Sequence, residues 1–176
     1  ILIDRVTTAL GHPERGDLVV FSRPLDWTDG TSDQPSAWRV AVGWIGDTFG
    51  FGPTNSDTLV KRVVAIPGDT LGCCDSTGRM LLNGEPLDEP YLQSPVTMTS
   101  ACGTDAASPQ CFDPIVLADD EYIVAGDNRA VSVDSISGCR GASSSSCART
   151  VSSKDIVGVV FYRFWPITTI GGVGGD

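Results

Sequence analysis

Apolar residues in this chain cluster in short runs rich in Val, Ile and Leu, and turn residues separate the runs. Such runs, bounded by pairs such as Pro67-Gly68 and Asn83-Gly84, are typical of β-strands and hairpins. No segment repeats its apolar residues with the spacing of an amphipathic helix. The runs that we predict as strands are 1–8, 18–21, 58–66, 70–74, 79–82, 121–125 and 155–164. The pattern therefore predicts a mainly β fold.

The segments between these runs are polar and rich in Gly, Pro, Ser and Asp. We predict that residues 24–57 form an extended hairpin or loop, that 85–114 form a loop, and that 138–150 form a Ser-rich loop outside the core. Residues 171–176 are predicted to be a frayed tail. No run reaches the length of about 18 apolar residues that a membrane helix needs. Because the chain opens inside a strand-like run, we expect its natural start to lie upstream of Ile1.

The composition indicates one folded domain, with room for a small inserted lobe. Of the 176 residues, 41% are hydrophobic, which is enough to build a core. The formal net charge of −10 argues against nucleic-acid binding, which requires a basic surface. The same charge disfavours electrostatic docking on anionic lipid.

The cysteines indicate disulfides in an oxidising compartment rather than a metal site. They are Cys73, Cys74, Cys102, Cys111, Cys139 and Cys147. Zinc is disfavoured, because His12 is the only histidine and no two cysteines have C-x-x-C spacing. Cys139 and Cys147 bracket one short loop and are predicted to pair with each other. The other four are predicted to pair among themselves, in a connectivity that the sequence leaves open.

Lys61 is one of two lysines in the chain, and it lies inside an apolar predicted strand. Because side chains alternate along a strand, the residues on the face of Lys61 are apolar. These residues are Leu59, Val63 and Ala65. Burial among such neighbours disfavours an ammonium group and can make a lysine a general base. The alternative is a lysine at the edge of the sheet, whose charge reaches water and deters aggregation.

Three further sequence patterns occur in a fixed order along the chain. They are 15–21 (Arg-Gly-Asp-Leu-Val-Val-Phe), 61–69 (Lys-Arg-Val-Val-Ala-Ile-Pro-Gly-Asp), and 126–129 (Gly-Asp-Asn-Arg) followed by Ser132, Asp134 and Ser135. Together they resemble the sequence boxes of bacterial type I signal peptidases. Residues 158–161 and Trp165-Pro166 resemble the closing strand of that family. The paired loop cysteines resemble those of actinobacterial members.

The resemblance implies a signal-peptidase-like β-fold of antiparallel sheets with an inserted, disulfide-bearing β-hairpin or loop lobe. The catalytic core would be discontinuous and formed by residues 1–70 and 120–170. Residues 71–119 would form the inserted small lobe.

The resemblance also implies a membrane-bound serine endopeptidase that uses a serine–lysine dyad. Such enzymes cleave the N-terminal signal peptides of exported preproteins after small residues at positions −1 and −3. No cofactor or metal is implied. The expected partners are these signal peptides and the cytoplasmic membrane, reached through an N-terminal helix that this sequence lacks. The catalytic domain would lie on the extracytoplasmic face.

Residue by residue, Lys61 matches the family's general base, and Ser132 matches the hydroxyl that hydrogen-bonds and orients it. Arg62, beside the lysine, matches an arginine that pairs with an aspartate, and this aspartate is Asp127. Leu59 matches the edge along which an extended substrate binds.

Two further matches concern the support of the site and the specificity for substrate. Val60 would line the shallow pockets that accept only small side chains. Asp134 matches a structural acid that normally pairs with an arginine two residues later. That position is Ile136 in this chain, so the partner is open, and Arg140 could substitute from further along the loop.

The chain departs from the family pattern at the nucleophile. The family's serine lies in a Ser-Met-x-Pro box ahead of the first strand, and no such box occurs here. We therefore expect the nucleophile upstream of Ile1, and assign that role to neither Ser132 nor Ser135. Three alternatives remain: a self-cleaving repressor-type serine–lysine peptidase, an inactive homologue that acts as an assembly factor or chaperone for surface proteins, and a disulfide-stabilised surface β-domain.

Overall fold

We describe the fold from a computed structural model. The structure describes residues 2–4, 12–24, 27, 58–92, 111–129, 132–139, 147–163 and 171–172. Most of the segment predicted as a hairpin or loop between 24 and 57 lies outside the described residues.

Among the described residues, the larger of two antiparallel sheets has seven strands. Its strands are β1 (Leu2–Asp4), β2 (Leu18–Ser22), β3 (Thr58–Ala65), β8 (Glu121–Ala125), β9 (Val151–Ser152), β10 (Ile156–Arg163) and β11 (Gly171–Gly172). The strand order is β1-β10-β2-β3-β8-β9, and β11 also pairs with β10. Strand β3 is therefore central, with β2 paired along one edge and β8 along part of the other.

The smaller sheet has four strands in the order β6-β5-β4-β7. These strands are β4 (Thr70–Cys73), β5 (Met80–Leu82), β6 (Glu85–Pro86) and β7 (Phe112–Val116). We call the described residues of 70–116 the small lobe. Short 3₁₀ turns at Ser137–Cys139 and Ser153–Asp155 are the other regular elements among the described residues. The mainly β, antiparallel prediction is confirmed.

Several boundaries differ from the prediction. Strands β6 and β7 occupy both ends of the segment predicted as a loop, and each contains a proline, Pro86 or Pro114. Both strands lie at the edges of the small sheet, where a residue without an N–H is tolerated. The prolines made the sequence pattern of these two segments typical of a loop. Gly171–Gly172 belong to the predicted frayed tail, but they pair with Tyr162 and Arg163 of β10.

Side chains of β3 alternate between two apolar clusters until a bulge changes the pattern. Val63 packs with Val19, Phe21 and Val124, while Val64 packs in the cluster that contains Leu71 and Ile123. The register with β8 shifts between Val63 and Ala65. Ala65 accordingly packs with Val64. The prediction that Ala65 shares a face with Lys61 is therefore wrong, because a bulge interrupts alternation.

Cys139 and Cys147 form a disulfide, as predicted. Cys73 and Cys74 also form one, and Cys111 is disulfide-bonded as well. Cys139 is fully buried in an apolar cluster with Leu71 and Ile123. The prediction that residues 138–150 lie outside the core is therefore wrong at Cys139, because the disulfide draws this end of a polar loop inward.

Asp69 joins three turns, which are the turn before β2, the turn between β3 and β4, and the turn between β5 and β6. Its carboxylate accepts two hydrogen bonds from Arg15, one from the N–H of Ile66 at 2.9 Å and one from Asn83 Nδ2 at 2.9 Å. Burial raises the pKa of Asp69, but these hydrogen bonds, with that of Arg15 the largest, outweigh burial. The pKa therefore lies below its ordinary value of 3.8. The ionised carboxylate consequently stabilises the fold.

We expect Asp69→Asn to lower the free energy of unfolding at neutral pH by about 1–3 kcal/mol, since hydrogen bonds to a charged group are lost. The folded-state pKa is lowered, so this contribution is present above 3.8 and is lost as pH falls towards the folded-state value. Chemical denaturation at about pH 7 and about pH 3 should therefore show a smaller difference between wild type and variant in acid. The exposed Asp119→Asn is the control, and an equal difference at both pH values would contradict the linkage.

Candidate active site

The structure brings Lys61 and Ser132 into direct contact. Lys61 Nζ donates a hydrogen bond to Ser132 Oγ at 2.8 Å, although the residues are 71 positions apart. Lys61 lies in β3 opposite Val19 of β2, and its side chain is half-buried. This hydrogen bond fixes where Nζ lies relative to the Ser132 hydroxyl. Proton transfer requires a group held at hydrogen-bond distance in a defined geometry, and the contact provides such a geometry.

Ser132 reaches Lys61 because the chain folds back directly after β8. The N–H of Ser132 donates to Asn128 O at 3.1 Å, which closes the turn that follows Ala125. Gly126 lies beside the contact, and a Cβ built on it would be 2.2 Å from Ser132 Oγ and 3.6 Å from Lys61 Nζ. The glycine therefore provides the space in which the two side chains meet.

Arg62 and Asp127 form a bidentate ion pair, the geometry in which guanidinium and carboxylate match best. Arg62 Nε donates to Asp127 Oδ1 at 2.9 Å and Nη2 donates to Oδ2 at 2.8 Å. Nη1 donates to the carbonyl of Gly16 at 2.7 Å. Arg62 is 7% exposed, and the hydrogen bond with Asp127 raises the pKa of its guanidinium. The pair joins β3 to the turn that leads to Ser132.

Asp134 and Ser135 are fully buried and support the backbone around the site. Asp134 accepts hydrogen bonds from the N–H of Gly126 at 3.0 Å and of Ile136 at 3.3 Å. Arg140, the partner suggested for Asp134, lies outside the described residues. Ser135 Oγ accepts from the N–H of Val124 at 3.0 Å. Its hydroxyl is buried and is used within the core.

A cavity of about 420 Å³ opens around Lys61 and Ser132. Its lining residues are Arg23, Trp27, Leu59, Lys61, Gly126, Asn128, Ser132 and Val133. Leu59, predicted to bind substrate, therefore lies in the wall of the cavity. Val60 is 44% exposed and is absent from the described lining. Its predicted pocket role stays a prediction.

Trp27 is a lining residue that the sequence did not single out. Its side chain is 1% exposed, and its ring packs edge to face on Phe21 with centroids 5.5 Å apart. It follows β2 in a polar segment, where one aromatic residue alone does not predict a strand, a helix or a site. It lines the cavity because of the fold, and no sequence spacing indicates this.

Sequence reasoning also missed a buried group of charges behind the site. Arg129 forms an ion pair with Glu89, and their side chains are 9% and 7% exposed. Tyr91 Oη donates to Glu89 Oε1 at 2.6 Å, and the guanidinium of Arg62 lies 4.1 Å from the centroid of the Tyr91 ring. Burial and the bond to Glu89 raise the pKa of Tyr91, so its hydroxyl remains a donor. Glu89 lies 40 positions before Arg129 and Tyr91 lies 38 positions before it, and no local pattern connects them.

The described residues contain no group of three or more His, Cys, Asp or Glu side chains arranged to hold a metal ion. In the same part of the chain, no helix has both the length and the apolar character needed to cross a membrane.

Comparison with known proteins places this chain in a family. The family described as signal peptidase, peptidase S26, matches residues 1–165. A signal peptidase I of Mycobacterium tuberculosis is 37% identical over 142 residues, covering 79% of this chain and 47% of the relative. A probable signal peptidase I of Mycobacterium leprae is 32% identical over 188 residues, covering 99% of this chain and 63% of the relative. A crystal structure of a signal peptidase I from Enterococcus faecalis aligns with a TM-score of 0.45, at 21% identity over 84% of this chain and 95% of that chain.

The fold and the lysine–serine contact thus occur in a chain that matches a family described as a peptidase family. The chain belongs to the signal peptidase family, peptidase S26, and its similar relatives include actinobacterial signal peptidases I. The resemblance read from the three sequence boxes is confirmed. The chain spans about half to two thirds of the length of these mycobacterial relatives.

Proposed function

We propose that this protein is a serine endopeptidase that removes N-terminal signal peptides from exported preproteins, with Lys61 as general base. The observation that carries the proposal is the 2.8 Å contact between Lys61 Nζ and Ser132 Oγ at the wall of a 420 Å³ cavity. Family membership supports the same reaction class.

In the proposed reaction, neutral Lys61 removes the proton from a serine hydroxyl as the serine oxygen attacks the scissile carbonyl. The resulting ammonium then gives its proton to the leaving amine, and the acyl-enzyme is hydrolysed by water. Ser132 accepts a hydrogen bond from Lys61 throughout and keeps its nitrogen aimed. We propose that the attacking serine lies upstream of Ile1, together with its oxyanion donors.

We propose that substrate binds as an extended strand along β3. Strand β2 pairs with β3 from Thr58 to Arg62, whereas the pairing of β8 with β3 begins at Arg62. In the described part of the chain, no strand pairs with the other edge of residues 58–61. An extended peptide can hydrogen-bond there, with its scissile bond brought to Lys61. Val60 and Leu59 are the proposed contacts for the small residues at −1 and −3.

We further propose that the protein is anchored in the cytoplasmic membrane by a preceding helix and acts on the extracytoplasmic face. Disulfides support this location, since they persist outside the reducing cytoplasm. The proposed partners are therefore preproteins emerging during export.

The function is tested by incubating the protein, expressed with the natural sequence that precedes Ile1, with a peptide that spans a signal-peptide cleavage site. The expected result is one cut after the small residue at −1. A matched peptide with a bulky residue at −1 should resist cleavage. An intact first peptide would contradict the proposal and would favour the alternative of an inactive homologue that assists the assembly of surface proteins.

For Ser132→Ala we expect kcat to fall about 10- to 100-fold, because the base is present but no longer oriented. The pH–rate profile should change with it, since the hydroxyl contacts the proposed general base. The measurement is initial cleavage rate against pH. Ser76→Ala, which changes an exposed serine of the small lobe, should leave both unchanged. A variant Ser132→Ala with the rate and profile of wild type would contradict the assignment.

A further inference from the structure

Glu89 and Tyr91 belong to the small lobe, yet they contact the residues that build the site. Tyr91 stacks on Arg62 and donates to Glu89, and Glu89 is paired through both carboxylate oxygens with Arg129. Arg129 Nε also donates to the carbonyl of Gly126 at 3.1 Å. Arg62 of β3 is therefore connected, through Tyr91 and Glu89 of the small lobe, to Arg129. Arg129 in turn contacts Gly126, where the turn that precedes Ser132 begins.

This set of contacts closes on itself. Gly126 is followed in the chain by Asp127, whose carboxylate is paired with Arg62. The turn 126–129 is thus held twice, by Arg62 through Asp127 and by Arg129 through the Gly126 carbonyl. Glu89 and Tyr91 connect the two arginines. Ser132 is the next residue fixed by the turn, since its N–H donates to Asn128 O.

We infer that Glu89 and Tyr91 are positioning residues, which act through Arg62 and Arg129 to hold Ser132 against Lys61. Burial of the Glu89–Arg129 ion pair makes the site sensitive to the loss of either partner. An ion pair removed from water tolerates loss of one partner poorly, because the remaining charge is uncompensated. A planar guanidinium stacked on a ring is likewise fixed in orientation as well as in position. The small lobe therefore contributes to the geometry of the site without touching the reacting atoms.

A purely structural role for the same residues makes a different prediction. If the contacts only attach the small lobe, their loss lowers the melting temperature but leaves turnover by the folded enzyme unchanged. If they position Ser132, kcat falls at temperatures well below melting, while KM changes little because the edge of β3 is untouched.

The test rests on the proposed function and uses the protein that contains the natural upstream sequence, with a signal-peptide substrate. Glu89→Gln and Tyr91→Leu should lower kcat about 10- to 100-fold with KM within about threefold of wild type. Tyr91→Phe keeps the ring over Arg62 and should lose less than Tyr91→Leu. Glu85→Gln, which changes an exposed carboxylate of β6 in the same lobe, is the matched control and should behave as wild type.

A second readout is independent of activity. Amide hydrogen exchange at Gly126 and Ser132, whose N–H groups are bonded to Asp134 and Asn128, should accelerate in Glu89→Gln and Tyr91→Leu but not in Glu85→Gln. Exchange in β10 should be unchanged. If Glu89→Gln fails to fold, Tyr91→Phe and Tyr91→Leu still report both quantities.

The outcomes separate the two proposals. Wild-type cleavage with unchanged kcat and unchanged exchange in the variants overturns the positioning role alone. Absence of wild-type cleavage overturns the proposed function, and the exchange rates then decide whether Glu89 and Tyr91 order the turn.

Discussion

Replacing Lys61 by alanine is expected to reduce kcat/KM for a signal-peptide substrate by at least about a thousandfold, the upper range for loss of a general base. The physical reason is that a serine hydroxyl is a weak nucleophile until a neighbouring group accepts its proton. In this chain the basic nitrogen that contacts Ser132 in the cavity is Lys61 Nζ. The measurement is cleavage under single-turnover conditions by protein that includes the natural upstream sequence.

Lys61→Arg distinguishes a base from a cation. Arginine supplies a positive charge at this position, but its guanidinium is not deprotonated in proteins and so offers no lone pair. We expect it to be as inactive as Lys61→Ala. Recovery of activity in Lys61→Arg would mean that the position supplies charge rather than a lone pair.

The control is the other lysine of the chain. Lys154 is exposed in the 3₁₀ turn Ser153–Asp155. Lys154→Ala should keep the wild-type rate. Near-normal turnover in Lys61→Ala would contradict the assignment outright.

The sequence predicted the central strands because their apolar runs are local signals. Strands β2, β3 and β8 fall within two residues of the predicted bounds, since each contains at least three consecutive buried residues and is bounded by turn residues in the sequence. Strands β6 and β7 were not predicted because their prolines indicate a break in a strand, although an edge strand tolerates proline. The face of Ala65 was wrong because a bulge breaks period two without leaving a mark in the sequence.

Among the residues around the site, too, some could be predicted from the sequence and others could not. Lys61 and Ser132 were paired by resemblance to ordered sequence boxes, and the structure places them in contact. Glu89 and Tyr91 could not be identified by resemblance to these sequence boxes. Their partners lie far along the chain, and a contact between a loop and a turn has no period. The Glu89–Arg129 pair is buried only because the small lobe packs against the turn after β8, so the sequence alone could not predict it.

Gly126→Ala tests the close packing of the site, and its expected effect is large for the addition of one methyl group. The new Cβ would lie 2.2 Å from Ser132 Oγ and 2.5 Å from Ser132 Cβ, so turning the hydroxyl away cannot relieve the overlap. The backbone of the turn must move and carry Ser132 from Lys61. We expect kcat to fall about 100-fold or more and stability by about 1–3 kcal/mol. Gly171→Ala, where no atom lies within 4 Å of the new Cβ, is the control and should change neither.

A second substitution shows whether the overlap is the cause. In Gly126→Ala combined with Ser132→Gly, the two side-chain atoms of Ser132 that meet the new methyl group are gone. The double variant should therefore be more stable than Gly126→Ala alone. It should remain as slow as Ser132→Gly, because Lys61 has lost its hydrogen-bond partner. If the double variant were no more stable than Gly126→Ala, the damage would arise elsewhere in the turn. If Gly126→Ala kept the wild-type rate, contact between Lys61 and Ser132 would not be required for turnover.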